Sequence, residues 1–396
     1  MLIERRVVVA LGLSQLIFWG VTYYLIGGFG ELISADLGWS RDRVYGGFAV
    51  ALLVMGVTSP LAGRLVDRHG GRSVMSAGAV VNAVGCCGLA ASQGLEMYFA
   101  SWVVLGFGMR LTLYDAAFAA LARIGGPEAR RAMSQITLLG GLAASVFWPL
   151  GHFLCEAFGW RVALIVYAGL AIATIPLCRV VPDHRHDDAP SLEPAPRRPL
   201  AHTRRKVALA AVLYAVITTG TNFLNAGMSA HMIAVLGGLG LSASLAVWIA
   251  TLRGIGQSGA RLCEVLFGGR VNPLTLTLAA CLIMPFSFLA GLFSGVSGMM
   301  GVAFCLAYGA CNGLLTITRG SLPLVLFDHR NYGALVGSLV VPSFILPAAA
   351  PLIYAIVIDR VGDAGALYMS AGIATATLVA ALLLKLLFAG SPRSGA

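Results

Sequence analysis

Arg253, Gln257 and Arg261 recur at intervals of four residues within a single apolar stretch. On an α-helix that spacing sets two guanidinium groups and an amide on one face. A guanidinium fork matches a carboxylate or another oxyanion through parallel hydrogen bonds, so Arg253, Gln257 and Arg261 are candidate anion-binding groups. Arg261 also has Glu264 three residues on, and a salt bridge within the helix is the competing reading; Arg253 has no acid within reach on its own helix. Arg110 and Arg319 stand inside apolar stretches too, and Asp115 is the acid that lies well inside the apolar part of the first half. An arginine at the centre of a membrane helix costs about 2.5–3.5 kcal/mol on insertion scales, so these charges imply a water-filled cavity or specific partners. Asp115 is a candidate group for taking up and releasing a proton, the alternative being that an arginine of another helix satisfies it. Arg110 precedes it by five residues, about 140° around a regular helix, which predicts that these two do not pair. Tyr23, with Trp19, Tyr24 and Tyr114, offers rings with polar tips, and Asn225, with Asn222 and Asn312, offers amides for the walls of such a cavity. For any one ring, packing in the core or at the lipid interface competes with that role. His152 and His231 are read as neutral and satisfied.

The elements that must carry these groups follow from composition. Of 396 residues, 58% are apolar and 11% charged, against roughly 45–50% and about 25% in soluble domains. Mean hydropathy is +0.85. A soluble globular protein is excluded, and apolar runs long enough for bilayer-spanning helices of about 20 residues fill the chain. The pattern predicts spans over 7–30, 44–65, 73–92, 98–122, 133–154, 160–178, 207–232, 243–267, 273–292, 297–325, 334–357 and 365–388. The fold class is therefore an all-α polytopic membrane protein with twelve transmembrane helices, the lipid bilayer being its first partner. The 49 glycines suit helices that associate in lipid by close backbone approach. The net charge of +10 sits in short gaps between spans and forms no continuous basic face, so nucleic acid is not expected as a partner. Basic residues gather at Arg5 and Arg6, at Arg68 and Arg72, at Arg130 and Arg131 and in the central gap, which predicts cytoplasmic N- and C-termini in a bacterial-type inner membrane. The eight cysteines show no paired spacing, so neither a disulfide framework nor a metal or cofactor is expected. The charged Met1–Arg6 segment followed by an apolar run reads as a permanent first span and not as a signal peptide.

One gap is long, polar and Pro-rich, which predicts an N-terminal six-helix bundle at 1–178, a cytoplasmic linker at 179–206 and a C-terminal six-helix bundle at 207–396. His184, His186, Asp187 and Asp188 in the linker have metal-binding side chains without a scaffold, and a solvated linker is the simpler reading. The halves echo each other. SPLAGRLVDRHGGR, Ser59 to Arg72, aligns with QSGARLCEVLFGGR, Gln257 to Arg270, and both end in Gly-Gly-Arg.

The loop after the second predicted span, GRLVDRHGGR, closely resembles the G-x-L-x-D-R-x-G-R-[KR] signature of the major facilitator superfamily. Gly63, Leu65, Asp67, Arg68, Gly70 and Arg72 fall in register, with Gly71 where a basic residue usually stands. The resemblance implies two pseudo-symmetric six-helix bundles, a monomer, and alternating access around a midplane site. It also implies a cytoplasmic latch made by Asp67 and its arginines, a close helix approach at Gly63 and a tight turn at Gly70. Gln257 to Arg261 resembles the D-x-x-[AG]-R pattern of monocarboxylate porters, which implies that Arg261 holds a substrate carboxylate. Gln257 stands where those porters carry a proton-coupling aspartate, and no lysine precedes Lys206 to match theirs in the first helix. Gly140, Gly141, Pro149 and Gly151 loosely resemble the fifth-helix motif of antiporters, which favours export. The expected function is secondary transport of a small, carboxylate-like anion, coupled to protons or to a counter-substrate. The alternative is proton-coupled efflux of drugs or toxic compounds, metalloid species included. A membrane enzyme would need clustered catalytic groups at one membrane face, and none is visible, so no enzymatic activity is expected.

Overall fold

The computed structural model describes residues 3–125, 129–183, 203–267, 272–326 and 342–388. His184, His186, Asp187, Asp188 and most of the expected linker lie outside these residues, as do Gly268 to Arg270 and the first turns of the span expected at 334–357.

Among the described residues every regular element is a helix. The first span is not one regular helix. It comprises α1 (Arg5–Phe18), a π-helical turn (Trp19–Tyr23) and α2 (Leu25–Leu37). Then follow α3 (Arg41–Val57), α4 (Ser59–Ala91), α5 (Leu95–Thr112), α6 (Tyr114–Gly125), α7 (Ala129–Gly141), α8 (Ala143–Phe158), α9 (Trp160–Ala173) and α10 (Ile175–Arg179). The second half comprises α11 (Arg204–Gly238), α12 (Ala243–Phe267), α13 (Pro273–Gly291), α14 (Gly298–Leu326), α15 (Pro342–Val361) and α16 (Asp363–Leu387). Together these elements make twelve crossings, and among the described residues nine stretches, some joining two or more elements as Arg5–Leu37 and Leu95–Gly125 do, are long and apolar enough to cross a membrane.

Turns at the end away from the N-terminus are made at Gly38, Gly159, Gly240 and Gly362, all with positive φ. These fall after the first, fifth, seventh and eleventh spans, so the second half repeats the turn positions of the first. At the N-terminal end, α4 is broken at Gly70 (φ 79°, ψ 156°), a conformation that belongs essentially to glycine. The break turns the second span into the third and leaves carbonyls without helical partners. Arg123 of α6 receives them, donating to Val66 O at 2.8 Å and Asp67 O at 2.9 Å. Arg72 Nε donates to Val181 O at 2.9 Å. The carboxylate of Asp67 and the guanidinium of Arg68 are both exposed. The close approach expected at Gly63 is not there, since a side chain at that position would meet nothing within 4 Å among the described residues. Gly71 is the contact instead, packed against Ala120 of α6.

Three contacts join the halves: α3 packs on α15, α2 on α11, and α7 and α8 on α12. Within the second half α12 lies along α14, and glycines set the spacing. A side chain at Gly309 or Gly313 would collide with the backbone of Arg253 or Gln257, and one at Gly256 with the backbone of Leu306. Small residues therefore hold the helix that carries the candidate anion face. Replacing Gly309 by Leu must displace α12, at a cost of about 1–3 kcal/mol for overpacking. Gly259 faces open space on the same helix as Arg253 and Arg261. Gly309→Leu should therefore lower the apparent melting temperature of the purified protein by several degrees, whereas Gly259→Leu should leave it unchanged, as followed by thermal unfolding in detergent.

Candidate functional site

Between the halves lies a cavity of about 610 Å³ that runs from the middle of the bundle toward the N-terminal end. Two departures from regular helix shape its first-half wall. The π-helical turn places Trp19, Tyr23 and Tyr24 together at the cavity, with the Trp19 ring 4.9 Å from Tyr23 and 6.2 Å from Tyr24. Inserting one residue per turn rotates the following side chains, and such turns recur at functional sites. The second departure is at Leu113, whose extended backbone (φ −74°, ψ −175°) separates α5 from α6. It resets the helical phase, and Arg110 NH1 donates to Asp115 Oδ2 at 2.5 Å. The expectation that these two residues stay apart assumed a continuous helix and is corrected by this break. Arg110 also donates to the Ser59 hydroxyl and is buried behind the wall, while the Asp115 side chain is about half exposed and lines the cavity.

The second-half wall is polar. Arg261 is buried, 1% exposed, and its NH1 donates across to the Thr137 carbonyl of α7 at 2.5 Å. Ser258 Oγ, one turn earlier, donates to Leu138 O at 2.9 Å. Both acceptors lie where α7 ends and α8 begins, a place at which helix carbonyls lose their own partners. The salt bridge with Glu264 that competes for Arg261 does not form: among the described residues no carboxylate lies within ion-pair distance of this guanidinium. Among the described residues its Nε and NH2 have no hydrogen-bond partner, nor does Oε1 of the neighbouring Gln257. Arg253 occupies a different place. It is fully buried behind the cavity, its NH2 donating to Asn225 Oδ1 at 2.6 Å and Ser229 Oγ at 3.0 Å, with the rings of Tyr308, Tyr24 and Trp148 around it. Asn225 joins four spans: its Oδ1 also accepts from Asn312 Nδ2 at 2.7 Å, and its Nδ2 donates to the Tyr23 hydroxyl at 3.3 Å across the halves. Arg319 reaches the cavity and donates to Asn222 Oδ1 at 3.3 Å.

Of the residues singled out by their chemistry, Tyr23, Asn225, Gln257, Arg261 and Asp115 thus meet at one cavity. Arg253 and Arg110 stand one layer behind it, and Gly63, Asp67, Arg68, Gly70 and Arg72 lie apart at the N-terminal end. Thr137 and Phe118 also line the wall and carry no signal in the sequence that would single them out, and Glu264, named only as a possible partner of Arg261, lines it too.

At the far end the halves meet through polar groups. Arg41 donates to Glu31 through Nε (3.1 Å) and NH2 (2.9 Å) and reaches Asp359 of α15 at 3.4 Å. Tyr45 donates to Glu31 at 3.0 Å and its ring lies 3.9 Å from that of His231. His231 Nε2 donates to the Pro351 carbonyl at 2.8 Å, and Gly27 lies against the Ser229 backbone.

The sequence profile described as Major Facilitator Superfamily matches residues 11–339. The chain belongs to that superfamily. Human monocarboxylate transporter 11 is 27% identical over 327 residues, which are 80% of this chain and 62% of that protein. Rat monocarboxylate transporter 3 is 33% identical over 132 residues, 31% of this chain and 25% of that protein. The multidrug resistance protein MdtL of Shewanella oneidensis is 26% identical over 188 residues, 47% of this chain and 46% of that protein. The chain thus spans less than two thirds of the length of these relatives. Among solved structures, a D-xylose-proton symporter superposes with a TM-score of 0.73 at 14% identity, covering 96% of both chains. The nucleoside transporter NupG superposes with a TM-score of 0.70 at 12% identity, covering 96% of this chain and 99% of that one. The expected all-α, twelve-span fold is therefore the fold of a superfamily transporter, and the chain is an integral membrane protein.

The contacts at the far end are half-exposed, and ion pairs of that kind are worth up to roughly 1 kcal/mol. Reversing the charge in Arg41→Glu sets it against Glu31 and Asp359, and should raise the labelling rate of a cysteine placed at buried Ala230 by about fivefold. The reagent is a membrane-impermeant maleimide added from the Arg41 side, with exposed Cys87 and Cys263 replaced.

Proposed function

We propose that this chain is a secondary transporter of a small organic anion, working by alternating access between two six-helix units, 1–178 and 207–396, joined by the linker 179–206. The observation that carries the reading is Arg261. A guanidinium 1% exposed at a cavity wall, with two nitrogens unpartnered and no carboxylate paired to it among the described residues, is suited to an anion from outside the protein. The likeness to monocarboxylate transporters supports the same class of solute. Gln257 beside it supplies an amide, and Asn225 and Tyr23 orient the solute's polar groups.

The N-terminal end is the cytoplasmic one, in keeping with the basic residues there. The form described is then the inward-facing one, with Arg41, Glu31, Asp359, Tyr45 and His231 sealing the outer side. Reorientation has to separate those groups and the Arg261–Thr137 contact between α12 and the α7–α8 junction. The Arg110–Asp115 pair couples the step to protons, since protonating Asp115 at the cavity surface releases Arg110 and the break at Leu113 from their electrostatic tie. Gly70, Arg72 and Arg123 shape the inner loop, with Asp67 and Arg68 available as its latch. The protein acts as a monomer in a bacterial-type inner membrane and is a carrier, not an enzyme.

A second reading, efflux of drug-like compounds, is favoured by the cavity's aromatic wall and by the likeness to MdtL. Arg261 separates the two. Arg261→Ala should abolish anion uptake into proteoliposomes and cost roughly 10²-fold in affinity, as expected for removing a buried charge-assisted hydrogen-bond donor. Arg261→Lys should recover a part of that loss, because a point charge replaces the fork. Unchanged anion flux in both variants, with normal insertion, overturns the proposal. Asp115→Asn should abolish flux driven by a pH gradient while leaving counterflow between two pools of substrate, and radiotracer exchange at fixed pH separates the two.

A further inference from the structure

The two walls of the cavity are made of different chemistry. The first half contributes a continuous aromatic surface: Trp19 lies 4.9 Å from Tyr114, and Tyr114 stacks on Phe118 with centroids 5.5 Å apart and planes 12° from parallel. All three rings line the cavity. The second half contributes guanidinium and amide groups, Arg261, Gln257, Asn225 and Asn312. Within the aromatic wall one donor is left over, because Nε1 of Trp19 is buried without an acceptor among the described residues. The volume, about 610 Å³, is that of sites for drug-sized molecules, which run from about 300 to 1,000 Å³. A two- or three-carbon acid held by Arg261 would leave the aromatic wall to water, at the cost of wetting a surface whose rings favour a flat apolar partner.

We propose that the transported solute is an aryl or heteroaryl carboxylate, its acid group on Arg261 and its ring against Trp19, Tyr114 and Phe118, with a ring oxygen or hydroxyl facing the Trp19 indole. This rests on the reading of Arg261 as the anion anchor and adds the body of the solute to it. Trp19, Tyr114 and Phe118 are then specificity residues. They choose among anions, while Arg261 decides that an anion is bound at all. A stacked ring and a preformed slot raise affinity over a short-chain acid, whereas the charge interaction is common to both.

The test is a thermal-shift titration of the full-length purified protein, followed by counterflow in proteoliposomes. The probes are 4-hydroxyphenylacetate and indole-3-acetate, set against acetate and lactate, with 4-hydroxyphenylacetamide as the neutral analogue and tetraphenylphosphonium as the hydrophobic cation. A ligand that binds the folded state raises its apparent stability in proportion to occupancy. The aryl acids should stabilise at concentrations at least about tenfold below those of lactate, and the neutral amide should not stabilise. Phe118→Leu and Trp19→Leu should erase the aryl preference and leave the response to lactate in place. Should Trp19→Leu fail to purify as a monodisperse protein, Phe118→Leu decides. Arg261→Ala should erase the response to every acid. Equal stabilisation by lactate and the aryl acids, lost in Arg261→Ala, overturns the aryl assignment and leaves the anion carrier standing. Stabilisation by tetraphenylphosphonium alone overturns both. An aryl preference unaltered in Phe118→Leu and in Trp19→Leu removes the aromatic wall from the binding site.

Discussion

A guanidinium taken into the interior of an apolar bundle must be given hydrogen-bond partners, because in lipid-facing surroundings an unpaired cation and an unpaired backbone group each cost several kcal/mol. The structure meets that demand in three ways. Arg110 is given Asp115 and Ser59 by a helix that breaks at Leu113. Arg253 is given Asn225, Ser229 and a surround of aromatic faces. Arg261 is given the Thr137 carbonyl, near the C-terminal end of α7. Among the described residues Arg253 and Arg261 both keep two nitrogens without a partner, but of the three arginines Arg261 is the one that lines the cavity, and the functional reading follows from that difference.

Backbone irregularity and small residues do the positioning. The π-helical turn at Trp19–Tyr23 brings Tyr24 alongside Trp19 and Tyr23 at the cavity, and the break at Leu113 turns Asp115 toward Arg110 and the cavity surface. On the other side Gly256, Gly309 and Gly313 bring α12 and α14 into backbone contact, so the arginine face is held by helix packing and not by loops. A site built in this manner moves as part of a rigid helix pair. That suits the mechanism proposed above, in which whole bundles rock.

The far-end contacts and the cavity exclude one another spatially. Arg41, Glu31 and Asp359 close one end of the interface between the halves while the cavity extends to the other, and α11 carries both His231 of the seal and Asn225 of the cavity. Fewer than two turns of α11 thus separate a cavity residue from the far-end contacts. Around the turn at Gly70, Arg123 of α6 and Arg72 each donate to backbone carbonyls, so the main chain supplies their partners there.

The number of crossings, the membrane setting and the superfamily were legible in the amino-acid sequence, because they depend on composition, on the length of apolar runs and on a motif that lies within ten consecutive residues. So was the importance of Arg261, since a cation in an apolar run is conspicuous wherever it sits. Position relative to the cavity was not legible. Arg253 and Arg261 share one helix face, yet neighbouring helices cover the first and leave the second at the wall. The pairing of Arg110 with Asp115 depended on a single extended residue, Leu113, whose type gives no warning of a break. The close approach was expected at Gly63, and packing placed it at Gly71 instead. Local periodicity therefore determined which residues lie on helices, while the tertiary arrangement decided which charges reach the cavity and what each is paired with, because the surroundings of a buried polar group depend on atoms far away in the chain.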